Sequence, residues 1–587
     1  MITVSNLSHG FSDRLLYENI SFSIEEGQHI AFIGSNGTGK TTLVEMMIHP
    51  ENYTYDGTIQ KDADCRIGYV TQFSKEDKNQ SVSVYDFLAE RFVGNQTETA
   101  RLCEMMATAD NLDAIFEEYQ RYLDEFQAMD GDHFESNIRR QLKVAGLSDK
   151  EYLEISKLSG GEFKLIQVIK EILARPSLLI MDEPDVFLDF ENLNGLTELL
   201  NYYKGTILVI THNRYLLNHC FNKILHLEGR DIQSFDGNYL DYNLALLEQK
   251  VELSEQAQKD GEEIVRNEKI VEKLRGSATT DSSASRGRAL RARVSYLERL
   301  KERRIKAPFV QINKAGITLP KVEQPSAGEE NVLPLLSIQD YSIAFDDVLL
   351  EHVSFDIKPG EKVAIVGPNG TGKTTLLREI VRQSHPSIRI SQDARIGFLS
   401  QLHGEILNEK NTIFEEFFEL GFDTREQIRE YLASYCFEEE ALNQRIGLLS
   451  GGEKNLLQLA RLARSDANLL LLDEPTSHLD TYAQVALENA IEQYHGAVLM
   501  VSHDFYVIAN TADYVLLVED RTIRKMRIRS FRKMIYDVHF DKTYLELEQK
   551  KKELESRIEL AIQAYDFEKA RELCEELEGY VERMNRI

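Results

Sequence analysis

The chain has 587 residues, which at roughly 100 to 200 residues per domain allows about three to five folded units and excludes a single compact core. Hydrophobic residues make up 42% and charged residues 28%, enough apolar side chain for several cores, so a disordered or fibrous chain is excluded too. The balance of 97 acidic against 68 basic residues gives a net charge of −29, which excludes a generalised nucleic-acid coat, would repel anionic membrane surfaces and confines any nucleic-acid contact to a local patch.

The opening Met-Ile-Thr-Val-Ser-Asn-Leu reads as a β-strand and not as an export signal, and no run approaches the roughly 18 apolar residues that cross a bilayer. Cys65, Cys103, Cys220, Cys436 and Cys574 form no C-x-x-C pair, so neither a zinc site nor a disulfide framework is expected, and a reducing cytoplasm fits.

The apolar run His29–Ile33 leads into GSNGTGKTT, comprising Gly34, Ser35, Asn36, Gly37, Thr38, Gly39, Lys40, Thr41 and Thr42. A glycine-rich turn between strand and helix lets backbone N–H groups close around phosphates. Lys40 then neutralises β/γ charge, and the Thr41 hydroxyl faces Mg²⁺. IGYVTQ ends at Gln72, and the segment from about 96 to 132 carries ten acidic and two basic residues, which predicts a solvated helical insertion. LSGGE follows with Ser159, Gly160 and Gly161, then LLIMDEP, a buried strand ending in Asp182 and Glu183. Buried paired carboxylates need a cation or a polar site. Asp182 is therefore assigned to Mg²⁺ and Glu183 to polarising the attacking water. His212 follows the next apolar strand, where it can hold the γ-phosphate.

From Tyr239 the spacing of Tyr242, Leu244, Leu247 and Val251 predicts a long helix. GSATTDSSASRG (276–287) interrupts it, and a second helix from about Arg288 to Lys306 places Leu290, Val294, Leu297 and Leu300 towards the first. Between Ile264 and Lys306 stand 13 Lys/Arg and 5 Asp/Glu, a local +8 suited to a phosphate-rich partner.

The motifs before the linker then recur in order, the first copy carrying 38 more residues between its glutamine and its LSGGE. KVAIV precedes GPNGTGKTT, with Gly367, Pro368, Asn369, Gly370, Thr371, Gly372, Lys373, Thr374 and Thr375; IGFLSQ ends at Gln401; LSGGE supplies Ser450, Gly451 and Gly452; LLLLDEP ends in Asp473 and Glu474; and His503 follows the last strand. The metal sets read from both copies are Thr41, Gln72 and Asp182, and Thr374, Gln401 and Asp473. Such repetition marks two homologous α/β domains. From Tyr544 to Met584, apolar positions at three and four spacings (Leu547, Leu554, Ile558, Ala561, Tyr565, then Ala570, Leu573, Leu577, Tyr580, Met584), with a break near Asp566, predict a helical hairpin or coiled coil. It is expected to bind RNA or to pack on the second copy.

LSGGE in both copies resembles the signature of ATP-binding cassette ATPases. The resemblance implies that each signature caps ATP held by the opposite cassette, and that Phe11 and Phe345 stack on adenine. The linker, opening on Gly237, Asn238, Tyr239 and Tyr242, resembles that of the ABC-F translation factors and ribosome-protection proteins. That implies a cytoplasmic ATPase using ATP and Mg²⁺, whose ATP-closed form binds near the ribosomal tRNA exit site. Its partners would be large-subunit rRNA, tRNA and ribosomal proteins.

The expected fold is two P-loop ATP-binding cassettes joined by a helical-hairpin linker: 1–238 and 335–537 as cassettes, 239–334 as linker, 538–587 as C-terminal extension. Antibiotic resistance by ribosome protection is the expected role, because the irregular tip suits reaching deep sites, with a housekeeping translation factor as the alternative. The tandem ATPase subunit of a membrane importer fits less well, since it would have a short linker. A DNA-repair cassette protein would show zinc cysteines or a much longer coiled coil. After Glu474 the chain reads PTSHLD, but after Glu183 it reads PDVFLD, and Asn213 stands where the second copy has Asp504. Unequal hydrolysis at the two sites is expected.

Overall fold

The computed structural model describes residues 1–11, 14–71, 80–107, 112–186, 188–278, 292–296, 315–322, 333–344, 348–539 and 542–586. Its chain divides into two compact units: Met1–Asp236 with Asn313–Arg532, and Gly237–Ile312 with Lys533–Ile587.

In the first unit, the first copy contributes strands β1 (Ile2–Phe11), β2 (Arg14–Ile24), β3 (His29–Ile33), β4 (Asp56–Lys61), β5 (Ile67–Val70), β6 (Leu178–Asp182), β7 (Thr206–Ile210), β8 (Lys223–Glu228) and β9 (Asp231–Asp236). One sheet runs β5-β6-β7-β3-β8-β9, parallel except for the β8–β9 hairpin, beside an antiparallel sheet β2-β1-β4. Every residue of β6 and β7 is buried. Leu, Ile and Val at consecutive positions fill both faces, as a central parallel strand covered on both sides requires.

The second copy contributes β10 (Leu336–Ala344), β11 (Val348–Ile357), β12 (Lys362–Val366), β13 (Ile388–Ile390), β14 (Ile396–Leu399), β15 (Leu469–Asp473), β16 (Ala497–Val501), β17 (Tyr514–Glu519) and β18 (Thr522–Arg527). Its sheets run β14-β15-β16-β12-β17-β18 and β11-β10-β13, the order of the first copy strand for strand. The described part of the acidic insertion is largely helical: Val84–Met106 packs against Asp113–Ala128, and Phe92 stacks on Phe134 with ring centroids 5.1 Å apart.

In the second unit the linker helix runs unbroken from Tyr239 to Ala278. It is three residues longer than predicted, because one Gly and one Ser in a helix already propagated cost only about 1 kcal/mol or less each. Residues 279–287 of the tip and 288–291 after it lie outside the described residues, as do Leu297 and Leu300. Of the second arm, 292–296 are helical, and the Tyr296 hydroxyl donates to Glu263 Oε1 at 2.7 Å.

The C-terminal helices Lys542–Gln563 and Phe567–Met584 pair with each other, and the Asp566 carboxylate caps the second by accepting from Lys569 N at 3.1 Å. They pack on the linker helix, where Lys250 pairs with Glu559 at 3.0 Å and Arg571 with Glu255. Tyr242 and Val251 are buried. Tyr565, placed on the apolar stripe by its spacing, is instead exposed at φ 59° in the inter-helix turn, because the hairpin reverses there and the stripe's phase is lost. Among the described residues no helix is long and apolar enough to cross a membrane.

Candidate active site

Each glycine-rich turn joins a central strand to a helix start. Gly39 at φ 96° and Gly372 at φ 89° precede the helices Lys40–Ile48 and Lys373–Arg382, a left-handed conformation that costs glycine nothing. Neither helix start has a side-chain cap, so the first-turn amides remain available to an anion. Lys40 is buried and its Nζ donates to Gly34 O at 2.9 Å and Ser35 O at 3.0 Å; Lys373 does the same to Gly367 O at 2.8 Å and Pro368 O at 2.6 Å. Burial lowers both ammonium pKa values, opposed by nearby carboxylates, Glu183 foremost for Lys40 and Glu474 for Lys373. A buried cation folded back on its own loop's carbonyls, beside uncapped helix amides, fits a polyphosphate ligand.

Beneath each loop, Thr41 Oγ1 donates to Asp182 Oδ2 at 2.8 Å and Thr374 Oγ1 to Asp473 Oδ1 at 2.9 Å. Asp473 Oδ2 is buried without a hydrogen-bond partner among the described residues, an orphaned acceptor suited to a cation. Burial raises both aspartates to about 6. Gln401 is half-buried just beyond β14 and makes no hydrogen bond to Thr374 or Asp473 among the described residues. Gln72 and Phe345 lie outside the described residues. Phe11 is 56% exposed, with its ring edge-on to His9 at 5.4 Å.

Glu183 and Glu474 sit at φ 45° and 49°, their amides tied to Ile210 O and Val501 O at 2.9 Å each. Left-handed glutamates just past a strand are strained positions, held by the neighbouring strand end. Burial pushes Glu474 up to about 8, reinforced by Asp473. Burial also opposes ionisation of Glu183, but the hydrogen bond from His478 and the nearby Lys40 ammonium hold that carboxyl below its ordinary value. Burial lowers His212 and His503 to about 3, helped by Lys40 and Lys373 respectively, so both imidazoles are neutral at pH 7. Neither ring nitrogen of His212, nor Nδ1 of His503, has a hydrogen-bond partner among the described residues.

The two copies complete each other's loops. Asp480 caps its own helix by accepting from Ala483 N at 2.9 Å, and its other oxygen accepts from Asn36 N of the first copy at 3.3 Å. Asp189 likewise takes Asn192 N at 3.0 Å and Asn369 N of the second copy at 3.1 Å. Asn36 Nδ2 donates to His478 O at 2.7 Å, and His478 Nδ1 lies 3.4 Å from Glu183 Oε2.

Each signature serine closes a capping box, Ser159 with Glu162 and Ser450 with Glu453, as S-x-x-E dictates. A Cβ on Gly452 would fall 2.0 Å from Asn36 Nδ2; one on Gly160 would meet nothing within 4 Å among the described residues. The first P-loop therefore faces the second signature. Gly161 and Gly451 follow their serines at the same helix starts.

Sequence reasoning did not single out Asp189, Asp480 or the bridging Arg214–Glu488 pair. The recurring Leu188-Asp189 and Leu479-Asp480 was the available signal for the first two; nothing local marks the last.

A family model described as ABC transporter matches residues 17–186 and 350–477. The chain is 30% identical over 528 residues to the protein YdiF of Bacillus subtilis (strain 168), covering 88% of this chain and 79% of that protein. It is 30% identical over 523 residues to the energy-dependent translational throttle protein EttA of Escherichia coli (strain K12), covering 86% and 90%. The solved complex of archaeal ribosomal stalk protein aP1 with archaeal ribosome recycling factor aABCE1 has the same fold, at TM-score 0.52, 17% identity and coverage of 90% and 92%.

Proposed function

This chain belongs to the ABC-F family of tandem-cassette ATPases, and from that premise we propose that it binds the ribosome in the cytoplasm when ATP closes its cassettes, and leaves after hydrolysis. The observation that carries this reading is the likeness, over most of both chains, to a protein named for throttling translation. The +8 stretch of linker between Ile264 and Lys306 supplies the phosphate-seeking charge. We assign residues 1–238 and 335–537 to the cassettes, 239–334 to the linker and 538–587 to the extension.

In each site the loop amides and Lys40 or Lys373 hold the β- and γ-phosphates, while Phe11 and Phe345 flank the base. Mg²⁺, when bound, supplies positive charge that offsets the phosphoryl oxygens; Thr41, Gln72 and Asp182, and Thr374, Gln401 and Asp473, are the residues that would hold it. Glu183 and Glu474 orient the attacking water, and neutral His212 and His503 each offer one N–H to the γ-phosphate. Ser159–Gly161 and Ser450–Gly452 present helix starts to the opposite nucleotide.

The finer role we assign is antibiotic resistance by ribosome protection, supported by the linker's length and the breaker-rich sequence of its tip; the relative's name favours a translation factor instead. The test is sedimentation of the Glu183→Gln/Glu474→Gln protein with ribosomes and ATP: co-pelleting is expected, and its absence would sink the ribosome reading. Shortening Ser277–Ser285 then separates the roles. Lost drug protection with normal cell-free translation supports resistance; altered translation without any drug phenotype in the parent supports the factor.

A further inference from the structure

We propose that the last strand of the second cassette, β18, with the helix start after it, docks on the phosphate backbone of structured RNA, an inference that rests on the ribosome reading above. From Arg521 to Lys533 the chain holds Arg521, Arg524, Lys525, Arg527, Arg529, Arg532 and Lys533 and no acidic residue. The equivalent stretch of the first copy, Arg230 to Tyr242, has one basic residue, Arg230, and three acidic ones, Asp231, Asp236 and Asp241. In a protein of net charge −29 such a cationic run is a local exception.

The fold does not require it. β18 pairs with β17 from Tyr514↔Arg527 to Glu519↔Thr522, and β9 pairs with β8 in the equivalent register from Lys223↔Asp236 to Glu228↔Asp231. The same hairpin therefore forms whether the outer strand is acidic or basic, and the charge is free to serve a partner.

Arg524, Lys525, Arg527 and Arg529 are exposed, and β18 ends its sheet. Arg524 pairs with Glu519 at 3.1 Å, and Lys525 Nζ lies 3.5 Å from the Tyr514 ring centroid. Arg527 and Arg529 have no carboxylate partner among the described residues.

Five of the seven cations are arginine, whose planar fork suits phosphate oxygens. The apolar neighbours Ile523 and Met526 are half-buried and Phe531 is buried. The strand thus offers no apolar wedge of the kind membrane insertion uses. Charge complementarity selects a polyanion read through its backbone.

The test uses the full-length Glu183→Gln/Glu474→Gln protein with ATP and 70S ribosomes as probe, across a salt series. Lys525→Gln/Arg527→Gln/Arg529→Gln should weaken binding about tenfold and reduce the salt slope by about 2, whereas Arg527→Lys/Arg529→Lys should keep most of both. A photoreactive residue at position 525 should cross-link to RNA. Unchanged affinity and slope, or cross-linking to protein alone, would overturn the inference, the latter assigning the strand to an acidic protein. If the parent fails to pellet with ribosomes, the ribosome reading falls by itself. The strand is then judged on a fluorescent RNA duplex, where an affinity untouched by the triple substitution overturns it.

Discussion

Glu183 and Glu474 occupy equivalent places yet face different partners. His478 of the second copy reaches Glu183, while the equivalent of His478 in the first copy is Phe187, which has no polar atom to offer Glu474 and lies outside the described residues. The Glu183 site is thus supplied with a positioning group, and Glu183→Gln should remove the larger share of steady-state ATPase; equal losses in the two single variants would remove this asymmetry. His478→Phe, copying the first sequence, should lower turnover with little change in KM, because the side chain reaches the carboxylate, while the contact to Asn36 of the glycine-rich loop is made by the backbone carbonyl and is kept. Asp185 gives a pH test. Burial raises its carboxyl to about 7, only partly offset by the hydroxyl of Thr211 donating at 2.6 Å. A folded pKa above the unfolded value contributes stability that is full below about pH 4 and lost as pH rises to about 7, at up to ~1.4 kcal/mol per pH unit. Asp185→Asn should flatten that part of the melting-temperature profile; a parallel-shifted profile would contradict it.

At the scale of elements, helix ends carry both fold and function. Asp189 and Asp480 spend one oxygen on their own helix and the other on the opposite loop, so a substitution there loses a cap worth about 1 kcal/mol together with a closing contact. The signature helix of the second copy seats against Asn36 so closely that Gly452→Ala must displace it. ATP-driven compaction, followed by small-angle scattering in the Glu183→Gln/Glu474→Gln background, should fail with Gly452→Ala and survive Gly160→Ala, whose added methyl meets nothing within 4 Å among the described residues. Compaction in both would show that Asn36 and the His478 carbonyl, 2.5 Å from the added Cβ, yield easily. The capping boxes were legible from LSGGE alone, because S-x-x-E specifies its own bonds; the fit of Gly452 was not, because Asn36 lies more than four hundred residues earlier.

At the scale of the molecule, the cassettes are joined by buried charge. Arg214 of the first copy pairs with Glu488 of the second, lies 3.5 Å from Asp504 and stacks over Tyr506 at 4.5 Å. Asn510 Nδ2 donates to the second Glu488 oxygen at 2.9 Å. Arg214→Ala leaves the buried Glu488 and the half-buried Asp504 carboxylates without their cation, a loss of about 3–5 kcal/mol. Calorimetry should show a lower melting temperature, with partial recovery on adding Glu488→Gln. An unshifted transition would mean that the ion pair opens at little cost.

The repeat, the P-loops and the strand-end carboxylates were determined by sequence alone, since each depends on residues adjacent in the chain: glycines that free amides, a lysine one step past the turn, apolar runs ending in Asp-Glu. The linker helix and the C-terminal hairpin followed from periodicity, although Tyr565 fell out of phase where the chain reversed. Tertiary structure alone decided which loop meets which signature, that His478 serves Glu183, that Arg214 finds Glu488, and that the C-terminal hairpin lies on the linker helix. Those contacts join segments distant in sequence, and no local pattern encodes a partner that the fold brings within 4 Å.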